Sequence, residues 1–163
     1  MMSTLSGTGT LAAITIGEAE RRVLTDLLNG ALASLVYGLA GVLLMVCGFF
    51  LVDVLTPGKL RELIWVERNH NAALLLSANQ LGVGAIVFTA IFTSYDSFAK
   101  GLASTVLFGL LGLILMGVSF LILDALTPGK LGEIICSKEP HPAAWVSASS
   151  HFAIALIVCA CIA

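Results

Sequence analysis

Four stretches of the chain, at about 30–52, 72–94, 101–123 and 143–163, contain no Lys, Arg, Asp or Glu. Each is long enough to cross a bilayer, which takes about 20 mostly apolar residues in a helix. Hydrocarbon offers no partner to a bare peptide group, so a spanning segment must satisfy its own backbone. That requirement makes these four segments helices. Of the 163 residues, 58% are hydrophobic and 11% charged, where a soluble domain is about a quarter charged. Little chain is left for a soluble domain beside the spans. A net charge of −2 provides no basic patch of the kind that nucleic-acid binding uses. No secretory signal is expected, because Arg21 and Arg22 follow the first apolar residues instead of preceding them.

The four spans form two pairs. The hexapeptide Leu55-Thr56-Pro57-Gly58-Lys59-Leu60 recurs unchanged at Leu126-Thr127-Pro128-Gly129-Lys130-Leu131. At the same offset, Gly38, Gly41, Met45, Phe49 and Asp53 match Gly109, Gly112, Met116, Phe120 and Asp124. Glu62 matches Glu133, and His70 matches His141. The chain reads as an internal duplication, each half an apolar helix, a short polar elbow and a second apolar helix. The expected fold is an all-α integral membrane four-helix bundle built from two tandem two-helix repeats, with short amphipathic elbow helices. Residues 30–100 form the first repeat and 101–163 the second. Ahead of them, residues 1–17 are expected to be flexible. Residues 18–29 put Val23, Leu24, Leu27 and Leu28 on one face, the pattern of a short interfacial helix.

The elbows carry most of the polar residues. Thr56 and Thr127 read as N-caps, with Pro57 and Pro128 at the first helical position, where a missing N–H costs nothing. Lys59 to Arg68 then reads as a surface helix with Leu60, Leu63 and Ile64 on its apolar face, and Lys130 to Ser137 as a shorter twin. Asp53 and Asp124 end the first and third spans, where the helix dipole disfavours a negative charge. Two readings are open. Each aspartate bonds the elbow backbone or a nearby lysine, or it binds a cation or a partner's basic group. Five basic residues (Lys59, Arg61, Arg68, Lys130, Lys138) lie in the elbows and three (Arg21, Arg22, Lys100) on the other side, which favours cytoplasmic elbows.

Within the spans, Ser34, Gly41 and Gly48 correspond to Thr105, Gly112 and Ser119. Small residues at this spacing permit close helix packing in lipid, either within one chain or between copies. The second span holds Ser77, Asn79 and Gln80; the fourth holds Ser147, Ser149, Ser150 and His151. Gln80 and His151 are equivalent positions. Asn79, Gln80, Ser150 and His151 are the candidate polar site, read as an interhelical hydrogen-bond clasp or as a proton-sensitive step at His151. The cluster lies about two turns from the elbow, within reach of interfacial water. His70 and His141 are two ligands without a third, too few for a metal site. Trp65 and Trp145 read as interfacial anchors. Cys47, Cys136, Cys159 and Cys161 read as small apolar filler.

A helix ending in Asp-x-Leu-Thr-Pro, a Gly-Lys-Leu-x-Glu elbow and Arg68-Asn69-His70-Asn71-Ala72-Ala73 opening the next span, all within a two-fold repeat, resemble the bacterial inner-membrane family called domain of unknown function 350. The resemblance spans about residues 30–163. It implies a four-span fold and an inner-membrane address, and no catalytic residue. The second half departs from the pattern, with Pro142-Ala143-Ala144 in place of Asn71-Ala72-Ala73.

Two functions are weighed. One is a non-enzymatic scaffold or accessory subunit, embedded in the lipid bilayer as a homo-oligomer or with a partner membrane protein. The other is a small transporter or channel for protons, metal cations or polyamines, its pore lined by Asn79, Gln80 and His151 of a homo-oligomer. An intramembrane enzyme would need an acidic partner for His151, and the spans hold none. No cofactor or metal site is expected.

Overall fold

The computed structural model describes residues 4–94 and 97–163, with side chains from residue 18 onward. Six helices follow in order: α1 (Thr4–Leu55), α2 (Leu60–Trp65), α3 (His70–Phe92), α4 (Phe98–Leu126), α5 (Leu131–Cys136) and α6 (Pro142–Ile162). No strand occurs among the described residues. Four helices (α1 from Glu18, α3, α4 and α6) are long and apolar enough to cross a membrane. The expected all-α membrane architecture is what the chain adopts.

The N-terminal region differs from the expectation. Residues 1–3 of the expected flexible segment lie outside the described residues. From Thr4 the chain is already helical, with no break between the stretch 18–29 and the first span. The physical reason is in the sequence. No proline precedes Pro57, and a helix ends only where a breaker or a better alternative ends it.

Two compact units divide the chain, residues 1–38 and 39–163. The first is the leading part of α1, and its described side chains from Glu18 to Leu32 are all exposed. The second unit holds the rest of α1 and all the other helices. Its core has two apolar clusters. One gathers Val52, Leu75 and Phe120 with Leu60, Leu63, Leu131 and Ile135 of the elbow helices. The other gathers Leu44, Val83, Ile86, Leu113, Met116, Ala155 and Val158. Small residues set the helix spacing here. A Cβ on Gly109 would lie 2.5 Å from Leu44 Cδ1, one on Gly112 2.4 Å from Ile86 Cδ1, and one on Gly48 2.8 Å from Asn79 Nδ2. These three glycines serve packing within the chain, as small residues do in lipid.

Candidate functional site

The elbows are closed from a distance. Leu60 N donates to Asp53 Oδ1 at 2.7 Å, and Leu131 N donates to Asp124 Oδ1 at 2.6 Å. Each aspartate, in the last turn of its span, thus serves the first amide of the next helix. The positive end of that short helix faces the carboxylate, which offsets its poor placement in its own helix. The N-cap role expected of Thr56 and Thr127 is corrected. Both hydroxyls donate backward, to Val52 O and Leu123 O, and so complete the preceding helices. Val52 O and Leu123 O also accept from Thr56 N and Thr127 N, so each hydroxyl adds a second bond to the carbonyl four residues back, the usual competitor of a capping role for Ser and Thr. The elbow helices begin three residues later than the prolines, at Leu60 and Leu131, capped by Lys59 and Lys130 without side-chain bonds. Gly58 and Gly129 take φ of 123° and 105°, a region that side chains rarely adopt. The elbow helices are also shorter than the expected Lys59–Arg68 and Lys130–Ser137, with Leu60, Leu63 and Leu131 buried as the apolar pattern requires.

The two elbows are tied together. Asn71 Nδ2 donates to Glu139 O at 2.8 Å and to Ser137 O at 3.2 Å, while its Oδ1 accepts from His141 N at 3.0 Å. Asn69 Nδ2 donates to Ser137 O at 2.9 Å, and its Oδ1 caps α3 by accepting from Ala72 N. The counterparts of Asn69 and Asn71 in the second half are Pro140 and Pro142. A segment with two prolines leaves its carbonyls open, and the asparagines of the first half satisfy them. Sequence reading noticed the replacement of Asn71 by Pro142 but not this consequence. Cys136 Sγ donates to Pro57 O, and Lys138 lies 3.6 Å from Glu67. Burial, then Glu67 and Glu133, pushes the Cys136 thiol up. His141 Nδ1 accepts from Ala143 N and caps α6; His70 is exposed at the start of α3. Among the described residues, no three His, Cys, Asp or Glu side chains are placed to hold a metal.

Between the two apolar clusters lies a polar layer. Asn79 is one turn from Leu75 and one from Val83; His151 is one turn from Ser147 and one from Ala155. Asn79 and His151 each sit nine residues into their helices (70 to 79 and 142 to 151). At 1.5 Å per residue that is about 14 Å from the elbow end, close to the middle of a hydrocarbon layer roughly 30 Å thick. Asn79, Ser147 and His151 are each 0% exposed. His151 meets the Phe120 ring edge-on at 6.3 Å between centroids. Gln80 Nε2 donates to Met45 O of α1 at 3.1 Å, a clasp between helices. The rest of the layer is unpaired. Both polar atoms of the Asn79 amide, Gln80 Oε1, Ser147 Oγ and both ring nitrogens of His151 are buried without a partner in the chain. Each such group costs about 1–3 kcal/mol.

Of the expected polar residues, the fold therefore places Asn79 and His151 in the buried layer and Gln80 at its edge. Ser150 is half-buried, and its hydroxyl is spent on Val146 O. Ser147 takes its place, at helical spacing from His151, which is the signal that identifies it. The layer offers amide, hydroxyl and imidazole groups with no carboxylate, Lys or Arg. It can donate and accept hydrogen bonds and, at His151, take up a proton. Asn79 and His151 lie inside one protomer, not on a face that copies would share.

Residues 26–162 match the family described as Domain of Unknown Function (DUF350). The chain is 36% identical over 148 residues to a UPF0719 transmembrane protein of Mycolicibacterium paratuberculosis, covering 91% of each chain. It is 34% identical over 137 residues to UPF0719 transmembrane proteins of Mycobacterium bovis and Mycobacterium tuberculosis, covering 84% of this chain and 90% of theirs. No solved structure matches.

Proposed function

Since the chain belongs to the domain of unknown function 350 family, we propose a role drawn from its own residues: a non-enzymatic, multi-pass subunit of a bacterial inner membrane that assembles along its first helix. The observation that carries this reading is a run of small residues in α1. Gly30, Ser34 and Gly38 are four apart, so they share one stripe of the helix. A Cβ on Gly30 or Gly38 would meet no atom within 4 Å, and Ser34 is exposed with its hydroxyl bonded to Gly30 O. Exposed Leu27, Leu28 and Leu35 flank the stripe. Lipid is served as well by leucine as by glycine, whereas a second helix gains close backbone approach only from small residues. The partner is a second copy or another membrane protein. The elbows, with five of the eight basic residues, face the cytoplasm in this reading.

The test is disulfide trapping in native membranes, with Ser34→Cys as the only cysteine. A cross-linked dimer or a fixed adduct, lost when Gly30 and Gly38 are both changed to leucine, is the expected result. A chain that stays monomeric and captures no partner refutes the role. A second reading, transport of protons, metal cations or polyamines, is favoured by the unpaired polar layer, since buried polar groups in spans mark solute paths. Its path would run within one protomer. Proteoliposomes that carry no flux of these ions, or a flux unchanged by His151→Ala, would remove it.

A further inference from the structure

The two halves also differ in what their elbow helices pack against. In the second elbow, α5 presents Gly132 and Cys136 to the first elbow. A Cβ on Gly132 would lie 2.6 Å from Pro57 Cδ, and Cys136 Sγ donates to Pro57 O at 2.8 Å. Those small residues are what allow Pro57 to seat there. The equivalent positions on α2 are Arg61 and Trp65. No elbow seats on them among the described residues. They border instead an open groove of about 590 Å³, lined by Phe49, Arg61, Glu62, Trp65 and Val66.

The occupant follows from the side chains. Another copy's Pro128 would need small residues at 61 and 65, as Pro57 needs them at 132 and 136. An arginine and a tryptophan fill that space. Among the described residues Arg61 makes no hydrogen bond or ion pair. The one acidic wall residue, Glu62, is matched by Lys59 at 3.3 Å. The Trp65 ring is 64% exposed and lies 6.5 Å from the Phe49 ring, at a tilt of 51°. The groove joins the end of a span to a surface helix, so its polar end stands at headgroup depth and its aromatic wall runs toward the hydrocarbon. A guanidinium fits a phosphate as a planar fork, and a tryptophan at this depth lies beside the start of an acyl chain.

We infer that this groove between α1 and α2 binds an anionic phospholipid, its phosphate on Arg61 and its upper acyl chain along Trp65 and Phe49. The site belongs to the first half alone. The duplication made two such surfaces, one closed by the chain's own elbow and one kept open for lipid.

The test uses the full chain with Trp145→Phe, which leaves Trp65 as the only tryptophan. The protein is reconstituted in phosphatidylcholine vesicles holding a small fraction of brominated phosphatidylglycerol or, in parallel, of brominated phosphatidylcholine. Bromine quenches tryptophan on contact. Brominated phosphatidylglycerol is expected to associate with Trp65 about fivefold more strongly than brominated phosphatidylcholine, the preference one cation at the surface confers. Arg61→Gln brings the two lipids to equality, and Arg61→Lys keeps part of the preference. Arg61 is exposed, so both variants fold, and an unchanged melting curve checks this. Equal quenching by both lipids in the parent, or a preference that survives Arg61→Gln, overturns the site. A preference erased by excess inorganic phosphate assigns the groove to a soluble anion and overturns the lipid. Cross-linking of Trp65 to a second copy, with neither lipid quenching it, assigns the groove to protein and overturns it equally.

Discussion

Replacing Asn71 by alanine tests whether one side chain holds the two halves together at their elbows. The substitution removes the bonds to Glu139 O, Ser137 O and His141 N. Ser137 O keeps Asn69 Nδ2 at 2.9 Å, so it is not orphaned. Glu139 O and His141 N lose the Asn71 side chain, and at exposed residues water replaces it in part. At about 1 kcal/mol for each of these two groups, the loss is about 2 kcal/mol. For a chain of this size that is about 4–8 °C in melting temperature. Asn71→Asp is the sharper variant. It keeps an acceptor for His141 N but turns a carboxylate oxygen toward two carbonyls. At neutral pH it should destabilise at least as much as alanine. Its carboxyl pKa is raised by those acceptors, so lowering the pH restores a donor, and the aspartate variant should gain on the alanine variant as pH falls. The assay is thermal unfolding in detergent together with hydrogen exchange at the His141 amide, which should exchange faster in Asn71→Ala. If Asn71→Ala melts with the parent and His141 exchanges at the parental rate, the brace contributes nothing and the reasoning fails.

Gly132→Ala should cost about 1–3 kcal/mol, because its Cβ meets the rigid Pro57 ring, and the loss should show as a lower melting temperature. At Gly129 a Cβ meets nothing within 4 Å, so Gly129→Ala isolates the cost of φ near 105°, about 1 kcal/mol or more by the same melt. Cys136 should alkylate only at higher pH than a free thiol, as burial and the two glutamates raise it; Glu67→Gln removes one negative charge and should lower the midpoint of the rate profile. Asn79→Leu removes two unpaired buried polar atoms and should leave stability unchanged or raise it by about 1 kcal/mol. A marked loss of stability would mean that the amide has a partner the helices alone do not reveal.

The architecture was legible because lipid tolerates so few solutions. Segments of the right length without charge had to be helices, and the repeated Leu-Thr-Pro-Gly-Lys-Leu announced two elbows of one design. The apolar positions Leu60, Leu63 and Leu131 followed from helical spacing. The caps did not follow, because Thr56 satisfies every local rule for an N-cap while the group that serves Leu60 N is Asp53, seven residues earlier. Local chemistry proposes candidates, and the path of the chain through the elbow selects among them. Within the spans, sequence located the polar residues by depth. It chose Ser150, where the fold buries Ser147, since helix rotation decides which of the two is buried, and rotation is set by packing.

The sequence by itself determined four helices long and apolar enough to cross a membrane, set in two related halves, since the cost of bare peptide groups in hydrocarbon leaves such segments no alternative to the helix. The tertiary structure decided how the halves diverge. Asn69 and Asn71 of the first half fasten the proline-bearing elbow of the second, and Gly132 receives Pro57 where Arg61 keeps its own groove open. Those outcomes depend on contacts between residues some 65–80 positions apart, and no periodicity along the chain encodes which partner a side chain will meet.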